Sequence, residues 1–159
     1  MRTKLLICAM TVLAANLAAC GGTTAAGNSA ADTVSTRDVP GVGTVLVSAA
    51  GNTLYVTDSD GQATPRCTDA CARTWPPLTV AGGTALTAGP GVTGTLATAV
   101  RPDGATQVTW DGKPLYSYAQ DTAPGQANGN GLRGAWGTWH VAAAADAAPA
   151  GGGAGGGGY

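Results

Sequence analysis

The chain has 159 residues, with eight basic side chains against nine acidic ones, a single His and no Phe. A net charge of −1 on so few charged groups argues against a nucleic-acid partner and leaves no basic patch for an anionic bilayer surface. Every acidic residue is Asp, Gly is abundant and helix formers other than Ala are scarce, a composition that favours strands and turns.

Residues 1–19 read as a lipoprotein signal peptide. Arg2 and Lys4 precede an apolar run that closes on Leu17-Ala18-Ala19-Cys20, the charged, apolar, small-residue order of an export signal. The run, about 15 residues long, falls short of the roughly 20 needed to span a bilayer. Cys20 is the expected lipidation site, carrying acyl chains such as palmitate that contribute about 0.8 kcal/mol per buried methylene. Plain secretion without acylation is the alternative. The mature chain is thus expected at the cell membrane, anchored through the lipid and facing the extracytoplasmic side. Residues 20–40 are expected to be the acylated Cys and a flexible tether, with a reach of roughly 25 Å.

Residues 41–145 read as one β domain. Residues 45–47 and 53–56 flank the turn Ala49-Ala50-Gly51-Asn52. A short helix is expected over residues 68–73. Residues 94–100 alternate small and apolar side chains, and Arg101-Pro102-Asp103-Gly104 turns the chain into residues 106–110. Asp111-Gly112, a strong hairpin signal, leads into residues 114–118. A last strand is expected over residues 138–143, and residues 146–159 read as a Gly-rich disordered tail. The fold expected is all-β: a small antiparallel sandwich or barrel built from two related repeats, with at most one short helix.

The repeat appears on shifting the chain by 61 residues without a gap. Gly51 then falls on Gly112, Leu54 on Leu115, Tyr55 on Tyr116, Asp60 on Asp121, Trp75 on Trp136 and Val80 on Val141. The units span about residues 43–82 and 104–143 and are expected to pack across a pseudo-twofold axis. The first connection holds Cys67 and Cys71, the second holds Gly125, Gly129, Gly131 and Gly134, so the second is expected to be the looser. Two cysteines in an exported domain read as a disulfide, adding about 2 kcal/mol for so short a ring. A redox pair or copper-type site using Cys67, Cys71 and His140 is the alternative.

Tyr116-Ser-Tyr118-Ala-Gln-Asp121 resembles the Tyr-x-aromatic-x-x-Asp signature of a bacterial predicted-lipoprotein family described as a secreted repeat of unknown function. Tyr55-Val-Thr57-Asp-Ser-Asp60 resembles a degenerate copy, and Cys67-Thr-Asp-Ala-Cys71 with Trp75-Pro76-Pro77-Leu78 resembles that family's first repeat. The resemblance covers about residues 43–143. It implies a small exported β-rich domain and brings no activity or catalytic residues.

The chemistry-bearing residues are few. No nucleophile-elbow serine, phosphate loop or haem-attachment motif occurs, so neither a cofactor nor a metal is expected, and nothing supports a triad through His140. Asp58-Ser-Asp60-Gly61 begins like a calcium loop but lacks the later ligands and reads as a turn. Tyr55, Asp60, Trp75, Tyr116, Tyr118, Asp121 and Trp136 form either core or a stacking platform for a ligand. The sequence therefore points to a membrane-tethered, non-enzymatic binding or scaffolding domain whose protein or small-molecule ligand is not specified.

Overall fold

A computed structural model describes residues 33–144. The signal, Cys20, most of the tether and the tail lie outside the described residues. The strands are β1 (Val34–Val39), β2 (Gly43–Ser48), β3 (Tyr55–Thr57), β4 (Thr79–Val80), β5 (Leu96–Val100), β6 (Thr106–Trp110), β7 (Lys113–Pro114), β8 (Arg133–Gly134) and β9 (Gly137–Val141). One short helix, α1 (Asp69–Thr74), interrupts them, and all the strand pairs are antiparallel. The fold is all-β, as its composition implies.

Each repeat opens on a hairpin. β1 pairs β2 from Val34↔Ser48 to Val39↔Gly43, and β5 pairs β6 from Leu96↔Trp110 to Val100↔Thr106. β1 corrects the sequence reading, which placed residues 34–39 inside the tether. Its sequence VSTRDV shows no apolar alternation, because only Val34 and Val39 are buried and pairing with β2 supplies the rest of its stability. The repeats accordingly begin before residues 43 and 104. The Asp111-Gly112 turn is as expected: φ is +47° and +76° at its two residues, the pattern of a two-residue type I′ hairpin.

The two repeats interlock. In the first, Leu54 N–H donates to Leu46 O at 2.8 Å, and Ala142 of the second repeat completes the row, donating to Leu54 O at 2.8 Å while its own carbonyl accepts Leu46 N–H at 2.7 Å. The mirror set is Leu115 N–H to Val108 O at 3.0 Å, Leu78 N–H to Leu115 O at 2.9 Å and Val108 N–H to Leu78 O at 2.8 Å. Each repeat's last strand therefore pairs with the other repeat's hairpin. A pseudo-twofold axis runs between Tyr55 and Tyr116, whose backbones exchange hydrogen bonds at 2.7 and 3.0 Å.

Alternation along these central strands divides the core. Leu54, Val56 and Leu115 point into an aliphatic cluster with Val34, Leu46, Val108 and Ala142. Tyr55 and Tyr116 point the opposite way, into an aromatic cluster with Trp75, Tyr118, Trp139 and both cysteines. Each buried Leu contributes roughly 1.5–3 kcal/mol.

Candidate functional site

The tyrosines and aspartates that repeat in the sequence meet crosswise. Tyr55 Oη donates to Asp121 Oδ2 at 2.5 Å, and Tyr116 Oη donates to Asp60 Oδ2 at 2.6 Å. Each repeat thus supplies the phenol for the other's carboxylate. The second oxygen of each carboxylate holds its own loop: Asp60 Oδ1 accepts Arg66 N–H at 2.9 Å, and Asp121 Oδ1 accepts Asn128 N–H at 3.0 Å. Burial, reinforced by the hydrogen bond to the neighbouring carboxylate, pushes both phenols well above their ordinary pKa. Asp60 acts here as an acceptor that holds its own loop, and no group of three or more His, Cys or Asp side chains placed to hold a metal ion occurs among the described residues.

The aromatic cluster corrects the gap-free register. Trp75 stacks on Trp139, with ring centroids 3.8 Å apart and planes 5° from parallel. Tyr55 meets Trp75 edge-on at 5.4 Å, and Tyr116 meets Trp139 edge-on at 5.2 Å. Backbone bonds agree: Asp58 N–H to Thr138 O at 3.1 Å mirrors Ala119 N–H to Thr74 O at 2.9 Å. The structural mate of Trp75 is therefore Trp139 and not Trp136, an offset of 64 instead of 61, because the second connection is three residues longer. Trp75 and Trp139 are 4% and 1% exposed, whereas Trp136 is 38% exposed.

Trp136 lines a cavity of about 190 Å³, together with the buried Trp75, Tyr118 and Trp139 and with Leu132, Arg133 and Gly134 from the β8 segment. Two of the lining residues carry polar groups that are unengaged. The Tyr118 hydroxyl and the Arg133 guanidinium have no hydrogen-bond or ion-pair partner among the described residues. Leu132 and Arg133 escaped the sequence reading, since they sit in a Gly-rich connection with no periodicity. A larger cavity of about 370 Å³, lined by Thr33, residues 48–50 and residues 78–80, presents neither aromatic nor charged side chains.

The second connection, expected to be the looser one, is tied at several points. Gly129 N–H donates to Tyr55 Oη at 3.3 Å, Gly131 N–H to Trp139 O at 2.8 Å, and Thr53 Oγ1 to Gln126 O at 2.6 Å. Ser59 and Thr57 hydroxyls both bond the Trp136 carbonyl, which fixes the backbone beneath that ring.

Cys67 and Cys71 form a disulfide with Cα atoms 5.1 Å apart, and both are buried in the aromatic cluster. The loop they close is pinned by Arg101, which the sequence offered only as a turn residue. Its buried guanidinium donates to Cys67 O at 2.7 Å, Gln107 Oε1 at 2.6 Å and Asp103 Oδ2 at 3.1 Å. Gln107 Nε2 passes the network on to Leu115 O at 2.7 Å. In the first repeat the matching positions are Val39 and Val45, which pack in a small apolar cluster. The backbone N–H of Ala105, and then Arg101, hold the Asp103 carboxyl below its ordinary pKa. His140 lies on the surface, 3.2 Å from the exposed Asp58, and is not grouped with the cysteines or with a serine nucleophile.

Among the described residues, no helix is long and apolar enough to cross a membrane. No curated protein and no solved structure matches the chain. A family profile, by contrast, matches it twice, over residues 36–79 and 97–143. With more than half of its length covered by those two copies, the chain belongs to the family described as a secreted repeat of unknown function.

Proposed function

We propose that this chain is a membrane-tethered envelope lipoprotein whose domain binds a partner or small molecule through the aromatic cavity and carries no catalytic centre of its own. The observation that carries the binding reading is the cavity: three Trp rings and a Tyr, with an unengaged hydroxyl and an unengaged guanidinium, on a backbone held by hydrogen bonds. A concave, mostly aromatic surface with a few convergent polar groups is the usual form of a binding site. The Tyr-x-aromatic-x-x-Asp spacing of the second repeat is read here as its mark. Tyr116 and Asp121 join the repeats, and Tyr118 between them lines the cavity.

Three features support the tether and the extracytoplasmic setting: the run from Arg2 to Cys20, the family's description as secreted, and a disulfide of the kind that persists in oxidising compartments. Since Cys67 and Cys71 are bonded to each other and buried, a redox or copper-handling role gains nothing from this geometry.

Two measurements test the reading. Mass spectrometry of the natural product is expected to find Cys20 as the acylated first residue; an unmodified Cys20 would remove the tether. Tryptophan fluorescence, titrated with soluble envelope saccharides and peptides, is expected to respond in the native chain and not in Trp136→Ala of equal thermal stability. An identical response in both would remove the cavity from the binding surface.

A further inference from the structure

We propose that β5 is a self-pairing edge, through which two copies of this chain join antiparallel about Thr98 and extend one sheet across the pair. Hydrogen-bond parity comes first. Asp111 N–H donates to Thr95 O and Arg101 N–H to Ala105 O, both at 2.9 Å, so residues 95, 97, 99 and 101 direct their backbone groups at β6. Leu96, Thr98 and Val100 direct theirs away from it. None of these outward groups has a partner among the described residues.

The equivalent edge in the first repeat is managed differently. β1 carries Arg37 and Asp38, and residues 87–90 of the same chain cover it. Val34 N–H donates to Thr87 O at 3.3 Å, Gly89 N–H to Val34 O at 2.8 Å, and Thr36 Oγ1 to Pro90 O at 3.0 Å. Charge and cover are the common ways in which an edge is protected from pairing. β5, with the sequence Leu96-Ala97-Thr98-Ala99-Val100, has no charge and no Pro, and Val100 is 74% exposed.

The strand also matches itself. A twofold axis through Thr98 sets Leu96 opposite the second copy's Val100, Ala97 opposite Ala99, and Thr98 opposite Thr98. Only a register in which outward-facing residues oppose each other makes hydrogen bonds, and this one does so at all three, giving about six N–H···O bonds. Apolar residues oppose apolar ones, small oppose small, and no like charges meet. The contact is isologous and therefore closed, so it stops at two copies. A single strand pair buries less than the roughly 1,000 Å² of a stable interface, so the association is weak. Tethering both copies to one membrane, as proposed above, would raise its occupancy, although the pairing itself does not depend on the tether.

The test is sedimentation equilibrium of the mature chain from residue 20, with Cys20→Ser to keep it out of micelles, over about 10 µM to 1 mM. A dimer is expected to grow in across that range. Thr98→Lys and Thr98→Asp, each placing like charges on the axis, are expected to weaken it by at least about tenfold without changing the melting temperature. An equimolar mixture of the two is expected to restore it. Val100→Lys, at another exposed position of the strand, is expected to act in the same direction as Thr98→Lys and serves if Thr98→Lys proves unstable. A chain that stays monomeric to about 1 mM, a dimer indifferent to these charges, or a mixture that fails to recover it would each overturn the proposal.

Discussion

Tyr55 and Asp121 lie 66 residues apart in the chain and join at 2.5 Å, while the corresponding pair of the opposite repeat, Tyr116 and Asp60, joins at 2.6 Å. A phenol from one half reaches the carboxylate of the other, twice, beside the axis on which the two backbones exchange hydrogen bonds. The halves are therefore one cooperative body and not two modules in a row.

Removing either phenolic hydroxyl is expected to destabilise the domain. Tyr55→Phe and Tyr116→Phe should each cost about 1–3 kcal/mol, since a carboxylate then loses one of its hydrogen bonds in a buried or half-buried setting. Tyr55→Phe should be the worse, because Tyr55 Oη also accepts Gly129 N–H. Thermal unfolding checks this, at about 4–8 °C per kcal/mol for a domain of this size.

Stability should fall in alkali. Both phenols are raised by burial and by their carboxylate neighbours, so the folded state holds protons that the unfolded chain releases near pH 10. This contribution is fully present below about pH 10 and declines above it, by up to about 1.4 kcal/mol per pH unit for each tyrosine. Denaturant melts between about pH 8 and 11.5 should show the decline in the native chain and a shallower one in Tyr55→Phe.

The ring cluster leaves no room at Gly129. A Cβ there would sit 2.7 Å from Trp75 Cη2 and 3.0 Å from Tyr55 Cε1. Gly129→Ala is therefore expected to cost about 1–3 kcal/mol by overpacking. It should also alter the near-ultraviolet dichroism of the stacked Trp pair. Gly134→Ala, with open space around the added carbon, should do neither.

Arg101 is expected to matter more than its turn position suggests. Arg101→Ala leaves the Cys67 carbonyl and the Gln107 amide oxygen without their buried donor, at a cost of about 1–3 kcal/mol for each. Replacing Arg101 and Gln107 together by Met and Val, in imitation of the apolar first repeat, should recover much of the loss. Chemical denaturation of the single and double variants measures both effects.

The parts of this fold legible in the sequence are those set by local chemistry. The Asp111-Gly112 turn needs two positive φ angles, residues 94–100 alternate small and apolar side chains, and Cys67 and Cys71 pair, so each could be read from a few neighbouring residues. The repeat was visible from Gly51 to Asp60 because no insertion separates these residues from their mates at Gly112 to Asp121. Beyond that point three extra residues slide the register, and Trp136 takes the place that belongs to Trp139. β1 was hidden because its pairing, and not its own pattern, makes it a strand. Arg101 was hidden because its partner Cys67 is 34 residues away, and the crossed Tyr–Asp pairing because identical motifs do not reveal which copy each will choose.

That choice is measured most directly by double-mutant cycles on unfolding free energy, using Tyr55→Phe with Asp121→Asn and, separately, Tyr55→Phe with Asp60→Asn. The interlocked arrangement requires a coupling of about 1 kcal/mol or more for the first cycle and close to none for the second. A coupling found instead between Tyr55 and Asp60, which belong to the same repeat, would contradict it.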